Sequence, residues 1–585
     1  MCATTCGRGG LSADEVASLY AGAVRKILAW RPDVVVVSLW AVILGGAIVR
    51  FVGIDFGLPL TIKSDEPIVV NGAREMIERR SFEPDRFQWP NHLGIMATYL
   101  AYVFVTPLAH GMSAEQAINE LPIGYFHLVA RSVTAVFGVA GIVLAYFIGK
   151  RFHRVAGLFA AAFVAFLPDY VEESHYATPD IVLTTTVFAV VLAAMVYVDK
   201  PRVSWLLVAS AVTALAIMAK YPGALGTVVI AAVVIAAAIR DREWLRIVQH
   251  GFIALFGVAG FLFLFSPVLF TNRHRVFRAF TRESRDTHPG MEPLSFSEKM
   301  SFYAGNYFAA TGILLLLLAL AGVWYLIKNP TLIAIPLFIG LVFWVALSSF
   351  GLHWGRWGMP MYITPIMLSA LGAYFVVQQV TTRFSGNRLI QAGVAVVLGV
   401  ALLTQVVVSV ATSASFLRKD VRLNALNDLT TRGITADNSI YEGYTPFFAN
   451  NLCTIWDEFD IVDGELVPLR ADIEYVLTST SVAGRFTDPE RYPAEVEFYT
   501  MLESYPLVAE YAPQSPSYSL PLASIRIMGA AQSMANTALG ASAGPVIRVF
   551  NVPEKLRREV SSPLSREAIA AIGPAYSVRA STCQD

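Results

Sequence analysis

"VVVVSLWAVILGGAIVRFV", residues 34–52, is an apolar run long enough to cross a bilayer, for which roughly 17–25 residues suffice. No small-residue cleavage site follows it, and Asp14, Glu15, Arg25, Lys26 and Arg31 precede it before any apolar core. That pattern reads as an uncleaved first helix with the N-terminus in the cytoplasm, rather than as a secretory signal peptide. The whole chain extends this reading. Its 585 residues are 55% hydrophobic and 15% charged, with mean hydropathy +0.55. A soluble protein carries about 25% charged residues. The net charge of +0 excludes bulk attraction to nucleic acid or acidic lipid, so any electrostatics must be local.

Eleven runs of spanning length fall near 34–52, 125–149, 155–170, 180–198, 204–219, 221–239, 249–271, 309–327, 330–350, 360–380 and 388–411. With the N-terminus inside, the inside loops carry Lys150, Arg151 and Arg154; Lys200 and Arg202; Arg240, Arg242 and Arg246; Lys328; and Arg383 and Arg388. Every inside loop is basic, as the positive-inside rule requires. A twelfth span at "NHLGIMATYLAYVFVTPLAHG" (91–111) would move all later basic loops outside, so this segment reads as an interfacial or re-entrant helix. From about 412 glycine, proline and charge rise. "NSIYEGYTP", "LCTIWDEFD" and "IEYVLTSTS" are short strand-like runs, and "RKDVRLNALNDLTTR" has helical spacing. The expected organisation is a cytoplasmic segment 1–33, a membrane domain 34–411 with an outer loop 53–124, an extracytoplasmic α/β domain 412–552, and a polar tail 553–585.

Charges at membrane depth are costly and mark function. "TIKSDEPIVVNGA" (61–73) places Asp65 and Glu66 side by side where the chain has just left the first span. Arg131, near the outer end of the second span, either snorkels or needs a carboxylate or phosphate partner, and the Asp65/Glu66 pair lies on its side. In "ESHYATPD" (173–180), Asp180 follows Pro179 at a helix start, where a carboxylate also suits the helix dipole, and His175 reads first as a hydrogen-bonding histidine. Lys220 in "MAKYPGAL" and His353 and Arg356 in "SSFGLHWGRWGMPMY" fall on the same face. Trp354 and Trp357 alone would be an aromatic belt. The outer loop 271–300 carries Arg273, Arg275, Arg278, Arg282 and Arg285, either as a solvated amphipathic helix or as an anion site, for which the guanidinium fork is suited. A transporter places its charges near the midplane. A one-sided ring of carboxylates and cations at headgroup depth suits a lipid phosphate together with acid/base chemistry.

Cys2 and Cys6 read as free thiols without a histidine to complete a metal site; Cys453 and Cys583 share the outer side, which leaves a disulfide open. His175, His288 and His353 are scattered without metal-ligand spacing.

"SDEPIVVNGAREMIERRSFEPDRFQWPNHLGIMATYL" resembles the first outer loop of GT-C glycosyltransferases, in the group of bacterial relatives of protein O-mannosyltransferases and of the aminoarabinose transferase that modifies lipid A. "ARSVTAVFG", "SHYATPDIVLTTTVF", "AKYPGAL", "SPVLFTNRHRVF" and "GRWGMPMYITPIMLSALGAYF" resemble later landmarks in the same order, over about residues 30–411. The resemblance implies a GT-C membrane domain of about 11 transmembrane helices in the inner (plasma) membrane. It implies a polyprenyl-phosphate-linked sugar donor and transfer to an acceptor hydroxyl with inversion. Asp65 would be the catalytic base. Glu66 would orient the acceptor or help bind a divalent cation. Arg131 would support the site, with Asp180 and His175. Lys220 and Arg356 would lie near the donor phosphate, with Arg273, Arg275 and His353 as further phosphate-side groups. Pro179 stands where many relatives have a second threonine, which weakens the case for Asp180.

The residue types suit that chemistry. Cations stabilise the departing phosphate, a positioned base contributes roughly 10²–10⁴-fold, and an inverting transfer needs one such carboxylate where a retaining double displacement needs two. Adjacent carboxylates repel, which Arg131 or a metal would offset. Two other functions share some of these features. A flippase for lipid-linked sugars predicts polar residues at mid-membrane depth. A lipid-linked glycan polymerase or ligase shares the cationic site and differs in donor size. The sugar and the acceptor (protein, lipid or envelope glycan) are decided by pocket walls, which the sequence does not show.

Overall fold

The computed structural model describes residues 33–285, 288–447, 455–470, 472–516 and 525–558. The cysteines, and most of the N-terminal segment and polar tail, fall outside the described residues. The protein is a polytopic helical membrane protein with a smaller C-terminal domain that contains strands, as expected. Among the described residues nine helices are long and apolar enough to cross a membrane. Eight coincide with expected spans, the ninth is the segment at 91–111, and the remaining three expected spans are shorter apolar helices.

In chain order the bundle consists of α1 (Val34–Phe51), α2 (Glu66–Glu78), α3 (His92–His110), α4 (Ile123–Lys150), α5 (Arg154–Ala165), α6 (Pro168–Glu173), α7 (Pro179–Asp199), α8 (Val203–Ala219), α9 (Gly226–Asp241), α10 (Leu245–Phe265), α11 (Arg273–Glu283), α12 (Phe296–Lys328), α13 (Ile339–Ser348), α14 (Ile363–Arg383) and α15 (Arg388–Ser415). The basic loops meet at one end. Arg151 bonds Asp199 at 2.9 Å, Arg154 bonds Asp33, and Arg240 donates to the Val198 carbonyl at 2.6 Å. The loop carrying Asp65 is at the opposite end, called the site end below.

Helix α3 does not run through the bundle. At one end His92 bonds Ser266, just past α10, at 2.7 Å; towards the other, Thr106 bonds Tyr125, at the start of α4, at 2.9 Å. Both contacts are at the site end, so α3 lies across it. Leu100, Phe104 and Leu108, at helical spacing, form its exposed apolar stripe.

One helix stops short and another breaks, and in each case an arginine satisfies a freed carbonyl. α5 has 12 residues, about 18 Å at 1.5 Å per residue, too short to span. Its terminal carbonyls at Val164 and Ala165 accept from Arg50, a fully buried side chain of α1, at 3.0 and 2.8 Å. α12 is interrupted at Gly312, whose φ of +74° suits glycine. There the Thr311 carbonyl accepts from Gln405 at 2.7 Å, and the Ala310 carbonyl accepts from Arg526 of the C-terminal domain. Without such donors, exposed backbone at membrane depth would be costly.

After α15 come α16 (Val421–Thr431), β1 (Ser439–Tyr441), β2 (Phe459–Val462), β3 (Glu465–Pro468), β4 (Tyr475–Ser479), α17 (Pro493–Leu502), β5 (Leu507–Tyr511), α18 (Arg526–Ala538) and β6 (Ile547–Asn551). The main sheet has the order β1-β4-β6-β5, with β1 parallel to β4 and the other pairs antiparallel; β2 and β3 form a hairpin. Ile440, Val476, Phe498 and Phe550 pack its core. The domain docks at the site end: Arg422 donates to the Ile62 carbonyl at 3.3 Å, and Tyr444 bonds Ser64 at 3.0 Å.

Candidate functional site

Asp65 and Glu66 open α2, with Pro67 in its first turn. Neighbours on a helical turn point about 100° apart, so the two carboxylates face different surroundings. Glu66 turns inward and is fully buried. Arg131 of α4 grips it with two bonds, Nε to Oε1 at 2.7 Å and Nη2 to Oε2 at 2.8 Å. The remaining Arg131 nitrogen donates to the carbonyls of Ile54 and Phe56, at 3.0 and 2.8 Å, and the guanidinium lies 3.9 Å over the Phe56 ring. The Ala177 N–H also donates to Glu66, at 3.1 Å. Four separate segments are thus tied through one bidentate pair.

Asp65 turns to the opening. Its Oδ2 accepts from Arg356 Nη2 at 2.8 Å, and Oδ1 has no partner among the described residues. Arg356 Nε stands 3.6 Å from Asp180 Oδ2, and Asp180 Oδ1 accepts from Lys220 at 2.8 Å. Lys220 lies 5.0 Å from the Trp357 ring centre. The result is an alternating row, Asp65, Arg356, Asp180, Lys220, drawn from four connections of the bundle. Asp180 sits in the first turn of α7, and its orientation towards Lys220 and Arg356 shows that it does more there than complement the dipole.

The other expected residues lie further out. His175 is buried and joins the carbonyls of Val171 and Val52, at 2.8 and 3.0 Å, with its ring stacked on Phe416 4.0 Å away. It braces the loop below Phe56. Arg275 pairs with Asp85 at 2.5 Å and covers Phe87 at 4.4 Å. Arg273 is exposed on the same helix. The loop they face adjoins Lys220, because Tyr221 donates to the Phe87 carbonyl at 2.7 Å. His353 packs edge-on against Phe302, 5.0 Å away. Among the described residues no group of three His, Cys, Asp or Glu side chains is arranged to hold a metal.

Three residues escaped the sequence reading. Glu173 is buried beside Arg356 and Asp180, and burial pushes its carboxyl up to about 7. Its place two residues before the expected His175 was the available signal. Lys63 lies 4.0 Å from the Tyr176 ring centre, facing Glu172 and Glu173. Tyr444 reaches in from the C-terminal domain with φ +64°, a conformation a bulky residue adopts only when its surroundings hold it there. No local pattern announces such a contact across 380 residues.

Residues 123–270 match the family model described as dolichyl-phosphate-mannose-protein mannosyltransferase. The stretch runs from α4 through α10 and carries Arg131, Asp180 and Lys220. It marks this part of the chain as glycosyltransferase-like, of the GT-C kind that the sequence resemblance implies. Comparison with curated proteins found no match. Among solved structures, ArnT from Cupriavidus metallidurans in the apo state is similar at 18% identity and TM-score 0.42, covering 68% of this chain and 72% of that one. The same protein bound to undecaprenyl phosphate aligns at 14% identity and TM-score 0.44, covering 90% and 99%. The archaeal oligosaccharyltransferase AglB from Archaeoglobus fulgidus, in complex with an inhibitory peptide and a dolichol-phosphate, aligns at 11% identity and TM-score 0.48, covering 83% and 75%.

Proposed function

We propose that this protein transfers a sugar from a polyprenyl-phosphate-linked donor to an acceptor hydroxyl, with inversion, at the extracytoplasmic face of the inner membrane. The observation that carries the reading is the row Asp65, Arg356, Asp180, Lys220, closed by contacts of 2.8, 3.6 and 2.8 Å. Its sidedness supports the face, because the basic loops meet at the opposite end and basic loops stay in the cytoplasm.

The donor phosphate enters beside Lys220 and Arg356, with its polyprenyl tail in lipid along α3 and the amphipathic α11. The phosphate competes with Asp180 and Asp65 for the two cations. As Arg356 turns towards it, Asp65 is left as a carboxylate with both oxygens able to accept. Asp65 takes the proton of the acceptor hydroxyl as that oxygen bonds to the anomeric carbon. The bond from that carbon to the phosphate oxygen breaks, and polyprenyl phosphate leaves with its added charge met by Lys220 and Arg356. One displacement from the face opposite the leaving group inverts the centre. Glu66 is fully buried against Arg131 and the Ala177 N–H, away from the opening where an acceptor enters. Its role in this reading is to hold Arg131, and with it the loop that aims Asp65.

The test is sugar release from labelled polyprenyl-phosphate sugars by purified protein in lipid, wild type beside Asp65→Asn. Turnover of one donor that the substitution abolishes supports the reading. Equal turnover by both forms removes Asp65 as the base. No turnover of any donor, with membrane extract added as acceptor, returns the chain to the flippase or the glycan polymerase.

A further inference from the structure

Between the bundle and the C-terminal domain lie two neighbouring cavities of about 560 and 360 Å³, which share Glu172, Val408 and Arg526 in their walls. The smaller reaches Glu173 and Arg356, the arginine that holds Asp65. The larger is bounded by Phe56, Tyr176 and Phe416 on the bundle side and by Arg418 and Ala530 towards the C-terminal domain. Together they run from the domain boundary to Arg356, the residue bonded to Asp65, while Asp65 itself lines neither.

We infer that these two cavities are the acceptor site of the transferase proposed above, and that the acceptor they fit is a saccharide. The inference rests on that reading and adds the class of acceptor and the elements that bind it.

The walls have the chemistry of a polyhydroxyl site. Carboxyl and guanidinium groups offer paired, coplanar polar atoms that match two vicinal hydroxyls. Glu172 and Arg526 supply one of each in the shared wall. Two arginines here are not spent on carboxylates. Arg418 donates to Thr537 at 3.0 Å and to Ser533 at 2.8 and 2.9 Å; Arg526 donates to the Ala310 carbonyl and to Gln405. Arg526 Nη1 and Asn306 Nδ2 are buried and have no hydrogen-bond partner among the described residues, and both residues line the smaller cavity. Burial raises the Glu172 and Glu173 carboxyls, so each is better able to donate a proton to a hydroxyl.

Apolar surface completes the site. Phe56 meets Phe416 at 4.8 Å and Tyr176 at 5.5 Å between ring centres. Arg131, Lys63 and His175 cover one face of Phe56, Tyr176 and Phe416 respectively, so the cluster gives the cavity an apolar wall against which the C–H side of a sugar ring can pack. A polypeptide acceptor fits less well. One recurring mode for an extended peptide is to add a strand to a sheet edge, and no residue of the six strands lines either cavity.

The experiment is saturation-transfer NMR on the full-length protein in lipid nanodiscs, with a panel of mono- to tetrasaccharides of gluco and galacto configuration and, separately, short serine- and threonine-containing peptides. Ala530→Trp fills the larger cavity from α18, and Glu172→Leu removes one polar pair at similar side-chain volume. Binding of undecaprenyl phosphate to each form is the control for the donor side and for folding. The expected result is transfer to a saccharide, lost in Ala530→Trp and weakened about 10-fold in Glu172→Leu, with undecaprenyl phosphate bound equally by all three. A saccharide signal unchanged in Ala530→Trp overturns the inference. So does an Ala530→Trp-sensitive signal from peptides alone, or no saccharide signal from a form that binds undecaprenyl phosphate. Failure of every form to bind undecaprenyl phosphate counts against the donor reading instead, and the saccharide signal still decides the cavity.

Discussion

Arg356 holds Asp65 at 2.8 Å across 291 residues of sequence. The contact joins the loop after the first membrane helix to the turn before α14, and it makes the proposed base and a proposed phosphate ligand one unit. Their substitutions should therefore not act independently.

Asp65→Asn is expected to lower sugar transfer by about 10²–10⁴-fold with donor binding retained, since it removes the base and keeps the shape. Arg356→Lys should weaken donor binding as well as turnover, because a point charge cannot contact Asp65 and Asp180 as the fork does. Donor titration of both variants separates the two. Equal loss in the double variant and in Asp65→Asn would show that the residues act together.

Glu66→Gln should act on stability first. It leaves Arg131 buried without its carboxylate, at a cost of about 3–5 kcal/mol. The measurement is thermal unfolding in lipid. A melting curve unchanged from wild type would mean that the 2.7 and 2.8 Å bonds do not anchor the loop.

Arg526→Ala tests the repaired break in α12. The Ala310 carbonyl loses its donor, at about 1–3 kcal/mol. Faster hydrogen exchange around Gly312, with the far half of α12 unchanged, is the expected outcome. Unchanged exchange would mean that water or another group satisfies the carbonyl.

Tyr444→Phe removes the hydroxyl that bonds Ser64 at 3.0 Å, a loss of about 1 kcal/mol net. Turnover should fall several-fold with donor affinity unchanged, because only the loop carrying Asp65 loosens. An equal fall in donor affinity would place Tyr444 on the donor side.

Glu442 supplies a pH dependence outside the membrane helices. It is fully buried, accepts from Tyr499 and from the Ser479 N–H at 2.7 Å, and burial pushes its carboxyl up to about 7 from 4.5. The folded state therefore binds the proton more tightly than the unfolded state. Its contribution is complete below pH 4.5 and is lost as pH rises towards 7. Hydrogen exchange of β4, corrected for intrinsic rates, should report falling stability across that window, and Glu442→Gln should flatten the profile.

The sequence alone determined the membrane architecture, because a lipid core forces a run of apolar residues for each crossing and basic loops keep to one side. It also placed Asp65, Arg131, Asp180, Lys220 and Arg356 on one face, and the alternation of basic loops led to the expectation of an interfacial or re-entrant α3. Tertiary structure alone decided what each charge does. Adjacent residues on a helix diverge by about 100°, so only packing could send Glu66 into a buried pair with Arg131 and leave Asp65 at the opening. Arg50 and Arg526 look like a misplaced charge and a surface residue until the early end of α5 and the break in α12 show carbonyls that need donors. Tyr444 is the plainest case, since a contact 380 residues away leaves no periodicity to read. Local chemistry sets which elements form and where they lie in the bilayer; the partner that completes a polar group depends on which elements the fold brings together.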